Sequence, residues 1–329
     1  MSFDVYGLGN ALVDIQYQVD PSFLKEMGID KGVMTLIEED RQLQLIENLG
    51  GQELARSSGG SAANTMISVV NCGGTGYYAC KVANDSDGDF YLKDLEKANV
   101  KSSLSNKGEG TTGKCLVMIT ADADRTMNTF LGITSTFGPD QIERDVISKS
   151  KYIYIEGYLV ASDSGYEAAK VAQKMAKESG VKVSLTLSDP FITNIFMERM
   201  QALVDAGVDL LFCNEEEAKM FTKTETVEDA CAALANRVGA FAVTCGADGA
   251  RVKDGGELVH ASGFKVDAVD TNGAGDSFAG AYLAAVTHGY TTEQAAKLAT
   301  YVSSRVVSKF GPRFEDKLGN EDIKNILAM

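Results

Sequence analysis

Residues 152–212 read YIYIEGYLVASDSGYEAAKVAQKMAKESGVKVSLTLSDPFITNIFMERMQALVDAGVDLLF. Short apolar runs at 152–155, 181–187 and 208–212 alternate with helical periodicity at 165–179 and 195–206. Runs of this length, without polar alternation, fit strands buried on both faces. A helix between two such runs is the usual connection between parallel strands. The stretch therefore reads β-α-β-α-β. It decides the fold class: α/β, with a doubly wound, mainly parallel sheet and helices on both faces.

The same alternation extends outward. Strands are expected at 3–8, 76–82 and 241–244, and helices at 61–70, 90–98, 215–221 and 227–238. The end of the chain reads as three helices, 277–287, 292–309 and 321–327. Two places break the pattern. Residues 33–37 form a short apolar run between turn signals. Runs at 115–120 and 126–131 flank an Asp-rich turn and read as a hairpin. These inserted strands predict a small second sheet, placed to act as a lid. Only four prolines occur and no Pro/Ser-rich linker divides the chain, so one domain over 1–329 is expected.

Thirty-one Lys and Arg face 46 Asp and Glu, a formal net charge of −15. That field repels nucleic acid and anionic lipid, so neither is an expected partner. With two histidines, His260 and His288, a His-rich zinc site is excluded. The six cysteines lack CxxC spacing and sit mostly in apolar runs, which reads as reduced thiols in a cytoplasmic protein. No signal peptide or membrane span is expected.

Glycine patterns separate on context. Gly74-Thr-Gly76-Tyr-Tyr-Ala79 fits GxGxxA, but a strand is expected where a dinucleotide fingerprint needs a helix. Gly108 to Lys114 fits GxxxxGK, yet Cys115 replaces the Ser/Thr that a P-loop needs on magnesium. The segment Asp270-Thr-Asn272-Gly273-Ala274-Gly275-Asp276 carries more chemistry. Small residues at a helix start would expose N–H groups to an anion, and Asp276 stands beside them. On local physics alone Asp276 also reads as a helix cap. Asn214 and Glu217 form a capping-box spacing at the end of a strand, where they could also hold hydrated magnesium. Thr244, Gly246 and Gly249 read as a turn between strands. Ser58-Gly59-Gly60-Ser61-Ala-Ala-Asn64 opens a helix, and Asp14 could accept bonds from two neighbouring sugar hydroxyls.

In this order, the motifs resemble the ribokinase-like (PfkB) family of sugar and nucleoside kinases over nearly the whole chain. The glycine-rich motif is residues 58–64, NxxE is Asn214 to Glu217, TxGxxG is Thr244, Gly246 and Gly249, and the C-terminal signature is residues 270–281. The resemblance implies a lid drawn from about 14–56 and 107–131. It implies Asp276 as catalytic base, with Gly273, Ala274 and Gly275 as the anion hole. It implies Asn214 and Glu217 organising Mg²⁺ and phosphate, Glu217 through water. Thr244, Gly246 and Gly249 would line an ATP site, and Asp14, Gly59, Gly60 and Asn64 would hold the acceptor. A monovalent cation, K⁺, would sit near the loop through Asp270 and Asn272.

Segments 10–14, 31–37 and 125–132 look most like bacterial adenosine-kinase-type members. That implies ATP-dependent phosphorylation of a nucleoside's primary hydroxyl, adenosine first, with ribose and fructose kinases as the alternative and a non-catalytic sensor behind both. A base would need an apolar slot, for which Met34, Leu36 and Phe130 are candidates. Arg125, at the hairpin turn, reads as solvated, or as steering a phosphate or an acidic acceptor. A monomer or a lid-mediated homodimer is compatible with the family.

Overall fold

The computed structural model describes residues 2–50, 53–103, 107–122 and 124–329. Its central sheet has eight strands. Six are parallel, in the order Gly76–Ala79, Phe3–Leu8, Ser150–Ile155, Lys182–Thr186, Leu210–Asn214 and Ala240–Thr244. Ala250–Asp254 and Val259–Ala261 continue the sheet antiparallel. Side chains alternate across the pleat, so Phe3–Leu8 feeds two cores: Val5 packs on one face, Tyr6 and Leu8 on the other. Ser61–Asn71, Ala274–Thr287 and Thr292–Val307 cover the first face through residues such as Met66, Leu283 and Val302. Asp163–Glu178, Met197–Asp205, Glu215–Thr222 and Val227–Leu234 cover the second through Ala172, Leu203, Phe221 and Leu234.

Phe3–Leu8 lies between Gly76–Ala79, the next strand of this sheet along the chain, and Ser150–Ile155, the one after it. The order of winding reverses there. In open α/β sheets this leaves a crevice at the carboxyl ends of the strands.

A second sheet stands over that crevice. Its five strands run Met34–Leu36, Arg125–Phe130, Lys114–Ile119, Leu12–Gln18 and Ala55–Gly59. The expected hairpin is present, although Ala123 in its turn, like Gly51 and Gln52 in the earlier segment, lies outside the described residues. The strand Leu12–Gln18 alternates buried and half-buried positions, the signature of a sheet with one covered face. Lys107–Gly108 is not in this sheet; it pairs with Val82–Ala83.

Several boundaries differ from the sequence expectation for local reasons. The strand Gly76–Ala79 follows Gly74-Thr-Gly76, so no helix is available there for a pyrophosphate and the dinucleotide reading ends. The helix expected from 90 begins at Ser86, because the Asp85 carboxylate caps the Gly88 N–H at 2.7 Å. The helix expected from 277 begins at Ala274. Its N-cap, Gly273, has φ +74°, and a Cβ there would overlap the backbone of Pro312. Only glycine makes this turn at that distance.

The helices Ser61–Asn71 and Ala274–Thr287 pack at backbone distance. A Cβ on Gly280 would overlap the Thr65 carbonyl oxygen and the Ser68 side chain, while Ser68 Oγ donates to the Ser277 carbonyl at 2.9 Å. Gly280→Val is expected to force the pair apart and to cost about 1–3 kcal/mol, the usual scale of overpacking. Urea unfolding measures this; an unchanged midpoint would refute the close-packing argument.

Candidate active site

The crevice encloses a cavity of about 800 Å³ between the carboxyl ends of the parallel strands and the inner face of the small sheet. Five of the six parallel strands contribute at or just past their ends, Gly76–Ala79 being the exception. Phe3–Leu8 leads to Asn10, Ser150–Ile155 to Glu156, Lys182–Thr186 to Thr186, Leu210–Asn214 to Asn214 itself, and Ala240–Thr244 to Thr244 and Gly246, while Asp14 comes from the small-sheet strand Leu12–Gln18. The first turn of Ala274–Thr287 closes the floor with Gly273, Ala274, Gly275 and Asp276, and Asn272 lies beside them.

Asp276 is in the first turn of its helix, not at the cap. Its carboxylate is held from the neighbouring helix: Ser61 Oγ donates to Oδ1 at 2.6 Å and Asn64 Nδ2 donates to Oδ2 at 3.2 Å. Asn64 Oδ1 is buried with no hydrogen-bond partner among the described residues. Beside Asp276, Gly275 has open space where a side chain would stand. The Ala274 N–H turns back on the Thr271 carbonyl at 3.3 Å, a long bond that leaves the helix N-terminus poorly satisfied.

Asn214 and Glu217 make the capping box in full. Asn214 Oδ1 accepts from the Glu217 N–H at 2.8 Å; Glu217 accepts from the Asn214 N–H at 3.0 Å and from Asn214 Nδ2 at 2.7 Å. The capping reading is therefore correct, and both residues also line the cavity.

Three expected residues stand behind the wall instead of in it. Gly59 lies under the Asp14 carboxylate, where a Cβ would collide with it, so it makes room for Asp14. Gly249 ends the turn after Thr244, packed against the backbone of Ala261 and Gly263. Asp270 accepts from the Asn272 N–H at 3.1 Å and the Gly311 N–H at 2.9 Å. Gly60 and Asn64 line the cavity, as do Met34 and Leu36. Phe130 does not: strand alternation turns it to the opposite face of the small sheet, into a separate pocket of about 340 Å³. Leu12, Val117, Met127 and Leu131 complete the apolar wall on the inner side.

Arg125 departs furthest from its solvated reading. Its side chain is 8% exposed, and Nη2 faces Asp270 Oδ2 at 2.9 Å.

Glu156 has no counterpart in the sequence reading. It is buried, accepts from Asn10 N–H and Nδ2 at 3.2 and 2.9 Å through Oε1, and from the Ala62 N–H at 2.9 Å through Oε2. It thus ties the first strand's exit loop to the start of the helix that carries Ser61 and Asn64. Its position just past a strand end was the available signal.

Burial makes the cavity's carboxyl groups weaker acids than usual. Desolvation raises Asp14, Glu156 and Glu217 to about 7 and Asp276 to about 6. Arg313 and Arg125 pull Asp14 back down, and the bonds from Ser61 and Asn64 do the same for Asp276. The carboxyl groups also raise one another: Asp276 contributes to the rise of Asp14, Glu156 and Glu217.

Comparison with known proteins fits this geometry. The yeast Saccharomyces cerevisiae has an adenosine kinase 27% identical over 332 residues, covering 93% of this chain and 95% of its own. The solved adenosine kinase of Sinorhizobium meliloti is 34% identical with a TM-score of 0.89, over 99% of this chain and 100% of that one. A structure described as a probable sugar kinase protein from Rhizobium etli is also 34% identical, with a TM-score of 0.90 over the same shares. A model described as pfkB family carbohydrate kinase matches residues 29–317. The chain therefore belongs to the pfkB family of carbohydrate kinases, enzymes that phosphorylate a hydroxyl group.

Proposed function

We propose that this kinase transfers the γ-phosphate of ATP to the primary hydroxyl of a nucleoside, with adenosine as the acceptor. One observation carries the reading. The Asp276 carboxylate, fixed by Ser61 and Asn64, meets the open start of a helix inside a cavity that Asn214, Glu217, Thr244 and Gly246 also line.

In this reading Asp276 takes the proton of the attacking hydroxyl. With its pKa raised to about 6, it is mostly ionised at neutral pH yet more basic than a solvated aspartate. Gly273, Ala274 and Gly275 stabilise charge on the transferring group from the helix N-terminus. Asp14 accepts from the sugar hydroxyls, with Gly59 giving it room and Gly60 beside it. The unpartnered Asn64 Oδ1 is a ready acceptor for another hydroxyl.

Thr244 and Gly246 line the ATP side, with Gly249 shaping the turn behind them. Asp189, Glu216 and Asp276 all add to the raised pKa of Glu217, a local surplus of negative charge. A hydrated Mg²⁺ arriving with the nucleotide suits that surplus, and Asn214 and Glu217 would hold it through water. When bound, the ion neutralises charge on the phosphates; positioning by this chain's residues supplies the remainder.

The nucleoside is favoured by the small sheet. Leu12, Met34, Leu36, Val117, Met127 and Leu131 give an apolar slot above Asp14, more than a bare sugar needs. Movement of that sheet onto the acceptor would exclude water from the reacting phosphate. All six cysteines are free and five are buried, which suits the reducing cytoplasm. Among the described residues no helix is long and apolar enough to cross a membrane.

ADP release with ATP and Mg²⁺ across adenosine, inosine, guanosine, cytidine, ribose and fructose tests the acceptor. Adenosine is expected to give the highest kcat/KM; preference for ribose or fructose would overturn the slot and restore the sugar-kinase reading. Asp276→Asn is expected to lose about 10²–10⁴ in kcat, the usual contribution of a positioned base, while keeping the fold and ATP affinity. Near-normal turnover by that variant would sink the mechanism.

A further inference from the structure

Family resemblance places a monovalent cation at Asp270, and the surroundings of that carboxylate do not fit one. Oδ1 accepts from the Asn272 N–H at 3.1 Å, and Oδ2 accepts from the Gly311 N–H at 2.9 Å. The guanidinium of Arg125 faces Oδ2 at 2.9 Å, with side-chain exposures of 8% for Arg125 and 4% for Asp270. A potassium ion using this carboxylate would share a nearly dry space with a fixed positive charge. Like charges out of water repel strongly, and Arg cannot escape by losing its proton. Arg125 is held from a second side, with its guanidinium 5.9 Å from the centroid of the Phe310 ring.

We propose that Arg125 is a built-in substitute for the cation, so that this enzyme needs no K⁺. The guanidinium neutralises Asp270, and Asp270 in turn fixes the Asn272 N–H at the entry to the Gly273, Ala274 and Gly275 turn. Arg125 begins the strand Arg125–Phe130 of the small sheet, whereas Asp270 lies in the loop between the large sheet's last strand, Val259–Ala261, and the helix Ala274–Thr287. The substituted charge therefore also ties the small sheet to the loop, which a free ion cannot do. Arg125 is a positioning residue in this account, acting through Asp270. The inference rests on the kinase reading only for its rate measurement; its binding measurement stands without it.

The experiment compares KCl with choline chloride at equal ionic strength, reading the melting temperature of the ligand-free protein and the initial rate with ATP, Mg²⁺ and adenosine. The wild type is expected to show the same melting temperature and rate in both salts. Arg125→Met is expected to melt lower in choline and to regain stability and rate as KCl is added. Arg125→Met combined with Asp270→Asn is expected to lose that response.

Arg125→Lys keeps a cation and is expected to be indifferent to K⁺, which covers the case in which Arg125→Met does not fold. Stabilisation or activation of the wild type by K⁺ over choline overturns the proposal. So does an Arg125→Met protein with a raised KM for ATP and no K⁺ response, which would make Arg125 a nucleotide ligand. If no acceptor is turned over at all, the kinase reading fails while the melting comparison still decides the cation question.

Discussion

The helices Ser61–Asn71 and Ala274–Thr287 meet so closely that Gly280 has no space for a side chain. At their N-terminal ends Ser61 and Asn64 donate to the Asp276 carboxylate. The rest of the site depends on that contact. It orients a buried acid without covering its reactive face, and it sets two helix N-termini side by side over one cavity. Glu156 fastens the assembly from below by accepting from the Ala62 N–H and from Asn10, so that strand exits and helix starts move together. A site built across rigid elements in this way holds its geometry better than one on loops.

Charge is the second constraint. An acidic chain that handles a polyanionic nucleotide must manage repulsion inside its own cavity. Of the carboxyl groups that line the cavity, burial pushes Asp14, Glu156, Glu217 and Asp276 above their ordinary range. The compensating charges sit behind the wall. Arg313 bonds to Asp94 at 3.0 Å and to Ser58 at 2.7 Å, and Arg125 pairs with Asp270. Both arginines lower Asp14 from outside the cavity. The segment around Gly311, Pro312 and Arg313 thus serves several parts at once. It bonds to Asp270, packs on Gly273 and supports Ser58.

The layered fold was legible because parallel strands and their helices carry strong, local periodicity, as in 152–212. The small sheet was only half legible. Its hairpin has a turn signal, but Ala55–Gly59 is Ser- and Gly-rich and becomes a strand only by pairing with Leu12–Gln18. Asp276 and Asn64 were readable as motif members, whereas their mutual bond is a product of helix packing that no spacing encodes. The same holds for Arg125: a turn-flanking arginine looks solvated until a distant carboxylate is brought to it. Phe130 shows the opposite error. Its apolar character made it a candidate for the base slot, but the two-residue period of its strand points it away.

The most direct test of the account is the pH dependence of kcat/KM for adenosine in wild type and Ser61→Ala. The account makes Asp276 the group that must be ionised, and the Ser61 bond favours its ionised form. The wild-type rate should therefore fall on an acidic limb near pH 6, and removing the hydroxyl should move that limb to higher pH. A limb at the same pH in both proteins would mean that the carboxylate presented by Ser61 is not the base.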